Sequence, residues 1–303
     1  MRIGVMQLPT DDWPTWIARA RRLESLGFHH LWMPDHLSWR EYAGRPWLSA
    51  LPLLTATAAA TSRIRLGTMV ASPSFRHPVP FAHELMTLDQ ISAGRFILGI
   101  GAGAMGGWDE SALGRPAWPA AERVGRFGEF LSTLDTLLTQ PETTFSGTYY
   151  SASQVRIVPG CVQKPRIPFA IAATGRKALA LAARHADAWV TTGGGKDFAQ
   201  WRLNIASQWR IIEDECGKIN RDPSTIDKIF TAGFIPEHVT ASLTAFTDFT
   251  GELTEAGFTD TIFHYPRPDD DRWNDPVEVV DQIAAHFHLA PDSGEPPSRH
   301  PRM

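Results

Sequence analysis

The 303-residue chain is poor in cysteine, in lysine and in long apolar runs, and each shortage excludes something. Its two cysteines, Cys161 and Cys216, have no metal-ligand spacing. That excludes a zinc module or a disulfide framework and suits a reducing compartment. Lysine occurs only at Lys164, Lys177, Lys196, Lys218 and Lys228, and the net charge is −4. There is no basic stripe of the kind that neutralising a nucleic-acid backbone demands. No stretch approaches the length of a membrane span, and the opening "MRIGVMQLP" is too short an apolar run for a signal peptide. The expectation is a soluble, cytoplasmic protein with neither nucleic acid nor membrane as a partner.

With 43% hydrophobic residues the chain can build a large core. Strand and helix periods alternate along it. Apolar runs at 2–8, 29–33, 63–71, 95–101, 167–173, 187–192, 228–234 and 260–265 read as strands. Helical patterns follow at 13–26, 48–61, 77–92, 120–139, 176–186, 197–219, 239–256 and 276–288. Asp11 or Asp12 can cap the first helix and Gly27 can close it. One segment breaks the rhythm: "TTFSGTYYSASQVRIVP" (143–159) reads as a β-hairpin with Gly147 in its turn, inserted between units 4 and 5. Eight βα units in a chain of this length make a (β/α)8 TIM barrel, an α/β fold, with residues 1–290 as its single domain and a disordered tail over 291–303. Gly101, Gly103 and Gly106 spell G-x-G-x-x-G after a strand, which would suit a doubly wound dinucleotide fold. Gly107, Pro116 and Pro119 follow, however, so no helix starts on the third glycine, and a glycine loop at a barrel mouth is the better reading.

In such a barrel chemistry gathers at the C-terminal strand ends. These carry Gln7 and Pro9; Asp35 and His36; Met69, Val70 and Ser72; Ala102, Gly103 and Ala104; Thr174, Gly175 and Arg176; Thr192 to Gly195; Pro236; His264 and Tyr265. Small residues there let a flat ligand approach the backbone, the helix start at 175–177 suits a phosphate, and the histidines suit proton transfer. No metal-ligand cluster and no obvious nucleophile stand among them. Each group also has a plainer reading: Asp35 as a loop cap, His36 as a solvent histidine, Arg176 and Lys177 as first-turn surface charges. His29, His30, His77 and His83 read as packing or solvent-facing residues. "PDDDR" (268–272) lacks the glycine and distant glutamate of a calcium loop and reads as a solvated turn.

Four stretches in order, "LWMPDH", "SRIRLGTMVASPSFRHPVPFAHELMTLDQISAGRFILGIGAG", "FSGTYY" and "ATGRKALALAARHADAW", together resemble the luciferase-like monooxygenase superfamily over roughly residues 1–265. The spacing of Trp32 to His36, the "GTMV" turn and the "GIGAG" loop look more like its F420-dependent, deazaflavin branch. That resemblance implies a luciferase-like barrel, commonly a homodimer, with F420 at its mouth, FMN being the alternative. It implies His36 as the catalytic acid or base and Asp35 as both a catalytic and a coenzyme-ring residue. It implies a cis peptide at Met69–Val70, coenzyme contacts at Ala102 and Gly103, and a phosphate site at Ala173, Thr174, Gly175 and Arg176. Trp39, Ala104 and His264 would face the substrate. Sugar-phosphate dehydrogenases of the family carry a glutamate where this chain has Ala104, which argues against glucose 6-phosphate. Asp109 and Glu110 share that loop, but no motif places either at the site.

The function expected is hydride transfer between the deazaflavin and a small organic substrate, supplied by a flavin or F420 reductase. The alternatives are an FMN-dependent monooxygenase working with a flavin reductase, and a non-catalytic barrel that only binds the cofactor. Substrate choice lies in loops 37–47, 104–119, 193–200 and 265–275.

Overall fold

Strand β1 (Arg2–Met6) is followed by helix α1 (Trp13–Ser25), capped by Asp12, whose Oδ1 accepts the Thr15 amide at 3.0 Å. Then come β2 (His30–Met33), α2 (Ala50–Ala60), β3 (Arg65–Thr68), α3 (Pro78–Ile91) and β4 (Phe96–Gly101). A short helix α4 (Trp108–Ala112) and the long α5 (Ala120–Thr139) complete that unit. The hairpin pairs β5 (Thr143–Ser146) with β6 (Ser151–Val155) in a separate two-stranded sheet. Alternation resumes with β7 (Phe169–Ala172), α6 (Arg176–His185), β8 (Ala188–Thr191), α7 (Phe198–Lys218), β9 (Asp227–Thr231), α8 (Leu243–Glu255), β10 (Asp260–His264) and α9 (Val279–His286). This computed structural model describes residues 1–37, 39, 42–104, 106–194, 198–235 and 238–289. The expected tail over 291–303, Gly195 and Pro236 lie outside them.

The eight parallel strands close in the order β1-β10-β9-β8-β7-β4-β3-β2, as a (β/α)8 barrel requires. The α4 turn adds an element to the glycine loop. Gly107, at φ +63°, ends the glycine loop and caps a helix from Trp108, two residues after the third glycine. It is too short to act as a dinucleotide-binding helix.

Two cores follow from the strand period of two. Outward residues such as Ile3, Val5, Leu31, Phe169 and Phe230 pack under the helices. Inward residues including Met6, Trp32, Met69, Ile97, Val190 and Ile262 fill the barrel. Trp32 is fully buried there, and glycines make room for it. A Cβ on Gly67 would stand 2.4 Å from Trp32 Cζ3 and 3.0 Å from the Ile97 carbonyl oxygen. Gly67→Ala is therefore expected to destabilise the protein by about 1–3 kcal/mol through overpacking. A urea-denaturation midpoint equal to that of the parent would refute this account of the barrel interior.

The barrel is clasped where its first and last strands meet. Arg2 donates to Asp260 at 2.7 and 2.6 Å and to Asp227 at 2.5 Å, so β1, β10 and β9 share one guanidinium. The hairpin is tied to α5 by Glu129, whose carboxylate accepts the amides of Thr148, Tyr149 and Tyr150.

Candidate active site

The C-terminal ends of β2, β3, β4 and β7, neighbours in the barrel, bring most of the expected site residues into half a ring. The register pairing Gly101 with Ala172 sets Ala102 and Gly103 beside Ala173 and Thr174. The Ala71 amide donates to Gly99 and the Gly101 amide to Ala71, which carries pairing past β3 and fixes the Met69–Val70 unit at the rim. That peptide bond is cis. Gly103 has φ +93°, and a Cβ there would lie 2.6 Å from Ser74 Oγ, so backbone angle and space both require glycine. Thr174, Gly175 and Arg176 are exposed at the start of α6, whose first turn has no side-chain cap. Its amides are therefore open to an anion.

The carboxylate that meets His36 is not its neighbour in sequence. Asp35 is 3% exposed, and its carboxylate is held by Arg76, with Nε at 3.0 Å and Nη2 at 2.9 and 2.8 Å. Burial pushes the Asp35 carboxyl above its usual range while the Arg76 charge and hydrogen bonds pull it back. Asp35 thus anchors the loop after β2, and its hydrogen bonds go to Arg76 rather than to the adjacent His36. His36 turns instead to Asp109, which sequence reasoning set aside: Nδ1 is 2.9 Å from Asp109 Oδ2, and Oδ1 accepts the Leu37 amide at 2.7 Å. Asp109 is 2% exposed and sits in the first turn of α4. An ionised carboxylate only accepts, so this network assigns the ring proton to Nδ1 and leaves Nε2 as the acceptor nitrogen. The Trp47 indole donates to the His36 carbonyl at 2.8 Å, and the Trp39 ring stands edge-on to the imidazole at 4.7 Å.

Trp39 also walls an apolar cavity of about 40 Å³ at the centre of the mouth, with Met6, Leu8, Tyr42, Met69 and Trp273. Among its lining atoms the Thr231 hydroxyl is buried without a partner among the described residues. His264 closes the far side, its ring stacked on Trp273 with centroids 4.0 Å apart and planes 6° apart. Burial, and then the charges of Arg267 and Arg272, hold this imidazole well below its usual range, so it is neutral at neutral pH. Ala104 stands half-buried beyond Gly103 and brings no acid to the mouth.

The segment expected to be a solvated turn is built in. Asp270 is 7% exposed and accepts the Tyr42 hydroxyl at 2.6 Å, Arg267 at 2.8 Å and the amides of Arg272 and Trp273. Burial raises its pKa, but the hydrogen bonds from Tyr42, Arg267 and the Arg272 amide outweigh it and leave the carboxyl well below the ordinary 3.8. Burial and the Asp270 bond push the Tyr42 phenol up to about 12. A depressed carboxyl contributes stability above its unfolded pKa and loses it as pH falls towards the folded value. Below about pH 4 the loop carrying Trp273 is expected to loosen, seen as faster amide exchange over 265–275. An Asp270→Asn variant that kept the same acid dependence would overturn the assignment.

Residues 1–235 match the family model described as luciferase-like monooxygenase. The chain is 33% identical over 222 residues to the F420-dependent glucose-6-phosphate dehydrogenase of Microbacterium testaceum, covering 72% of this chain and 63% of that protein. It is 38% identical over 176 residues to the protein of the same name in Beutenbergia cavernae, covering 56% of this chain and 50% of that one. The chain thus spans about half to two thirds of the length of these curated relatives. Among solved structures, an F420-dependent secondary alcohol dehydrogenase in complex with an F420-acetone adduct shares the fold at TM-score 0.79, with 16% identity over 95% of this chain and 98% of that one.

Proposed function

The chain belongs to the luciferase-like monooxygenase family, and from that premise we propose that it is an F420-dependent oxidoreductase acting on a small, largely apolar substrate with a carbonyl, imine or activated double bond. The observation that carries this reading is the half-ring of small residues with His36 and its buried carboxylate at one end. F420-dependent relatives and fold neighbours support it.

The residues fit a flat ligand with an anionic extension. Gly103 is a cradle that a Cβ would fill, Ser74 keeps a buried hydroxyl without a partner beside it, and the uncapped start of α6 faces the same rim. Met69, Val70, Ala102 and Gly103 would hold the ring, and Ala173 to Arg176 the phosphate. When bound, the deazaflavin supplies or takes up the hydride. The chain does the rest. Asp109 holds the Nδ1 proton of His36 so that Nε2 accepts or delivers the matching proton. Trp39, Tyr42 and Trp273 exclude water, and the Thr231 hydroxyl offers a hydrogen bond to a substrate heteroatom. His264, neutral and stacked, shapes the pocket without carrying charge. A homodimer, and a reductase that recharges the coenzyme, complete this reading.

The test is a titration of the protein with F420 and FMN in both redox states, followed by tryptophan fluorescence, and then anaerobic turnover of reduced F420 with aldehydes, ketones and enones. Tighter F420 binding with oxygen-independent turnover is expected. Preference for reduced FMN with oxygen uptake would replace this reading with the monooxygenase one, and binding without turnover of any acceptor would leave only a carrier.

A further inference from the structure

Beyond Gly103 the mouth opens into a groove of about 540 Å³ that the proposed chemistry does not use. Its floor is the segment Pro73–Phe75 with Arg76 and His77, and its far wall combines Arg115 and Trp118 with Arg126 on α5 and Tyr149 and Tyr150 on the hairpin. Every charged side chain in that lining is a guanidinium. Arg76 is neutralised by Asp35 and Glu84, and Arg126 by Glu122. Arg115 is different: it donates to the Ser74 carbonyl at 2.6 Å and pairs with no carboxylate among the described residues.

The guanidinia are held rather than loose. Arg126 lies 4.2 Å from the Trp118 ring centre and 4.6 Å from that of Tyr149, and Arg115 lies 5.7 Å from Trp118. Stacked guanidinia keep their in-plane N–H groups available for hydrogen bonds, which suits them to planar or tetrahedral anions. A second observation points the same way. Ser74 is 1% exposed, yet its Oγ has no partner among the described residues, and neither has the buried Nε of Arg123. Both flank Gly103: a Cβ there would be 2.6 Å from Ser74 Oγ and 3.7 Å from Arg123 Cδ. Buried polar atoms are normally satisfied, so two orphans at the inner end of a cationic groove mark where donors await an acceptor.

We propose that this groove is an anion subsite, separate from the start of α6, which takes an extended polyanion of phosphate or carboxylate groups running outward from Gly103. Two sources share that chemistry: the glutamate carboxylates of a deazaflavin whose phosphate sits at the start of α6, or a free phosphorylated small molecule. The first source rests on the function proposed above. The subsite itself does not.

The first probe is pyrophosphate alone, titrated into the full-length protein with tryptophan fluorescence as readout and a Trp118→Phe variant to assign the signal. Saturable, salt-sensitive quenching is expected, lost in Trp118→Phe. Arg115→Ala should weaken pyrophosphate about tenfold, the worth of one charge-assisted hydrogen bond. Tyr150→Phe, which removes one oxygen and keeps the ring, should weaken it severalfold. Displacement by F420 but not by the same coenzyme lacking its glutamates assigns the groove to the coenzyme tail. Displacement by neither assigns it to a separate phosphorylated ligand. No quenching, or pyrophosphate affinity unchanged in both Arg115→Ala and Tyr150→Phe, overturns the subsite, and it does so whether or not F420 binds.

Discussion

Replacing Asp109 with asparagine is expected to lower turnover by roughly 10²–10⁴-fold without unfolding the protein. The carboxylate accepts twice, from the Leu37 amide and from His36 Nδ1. An asparagine carbonyl can keep the first bond, but its amide N–H then faces Nδ1, which moves the ring proton to Nε2 and disfavours the doubly protonated ring. In either direction of hydride transfer the working nitrogen is spoiled. His36→Ala should fall within the same range, and the double variant should be no slower than His36→Ala alone, because the two residues act as a unit. The discriminating readout is kcat measured beside the denaturation midpoint: kcat should fall in both variants while the midpoint of Asp109→Asn stays near that of the parent. Full activity in Asp109→Asn would reduce the buried contact to a loop anchor.

Arg76→Met should destabilise the protein by about 3–5 kcal/mol, the usual consequence of stripping one partner from a buried ion pair. Asp35 and Arg76 have side chains 4% and 11% exposed, so little water reaches the carboxylate that remains. The guanidinium also lies 4.8 Å from the Phe75 ring centre and 4.5 Å from that of Phe81, contacts that methionine replaces only in part. The sign of the pH dependence is diagnostic. With Arg76 gone, burial dominates at Asp35, with the Asp109 charge acting the same way and His36 against it, and the folded pKa rises further above the unfolded value. The folded state then binds the extra proton, and stability falls as pH rises through that pKa. Denaturant melts should therefore show a smaller deficit at pH 5 than at pH 8, and adding Asp35→Asn should recover part of the loss. A deficit independent of pH would point to lost packing instead.

Local periodicity made the barrel legible because each βα unit buries itself in a short window of sequence. The alternation of β1 to β4 with their helices, the Asp12 cap and the hairpin turn at Gly147 all depend on neighbours in the chain. What stayed hidden depends on partners brought together by strand order. Asp35 and His36 are adjacent in sequence, yet their carboxylate and imidazole partners come from Arg76 after β3 and Asp109 after β4. Both partners lay within or beside stretches that carried the family resemblance, but no spacing rule says which loop side chains meet. Asp270 was missed for a related reason. An acidic run reads as solvated until Tyr42 and Arg267 are known to converge on it.

The Arg2 clasp has a bearing on how the chain is made. Its partners Asp227 and Asp260 belong to β9 and β10, so β1 waits until the other seven strands of the barrel have been made before its outer edge is covered. Until then the nascent sheet carries one open edge at β1 and another at its growing end, each a row of unpaired amides and carbonyls. Closure is a late, long-range event, and it makes the β1–β10 seam the place where truncated or stalled chains would pair with each other rather than with themselves.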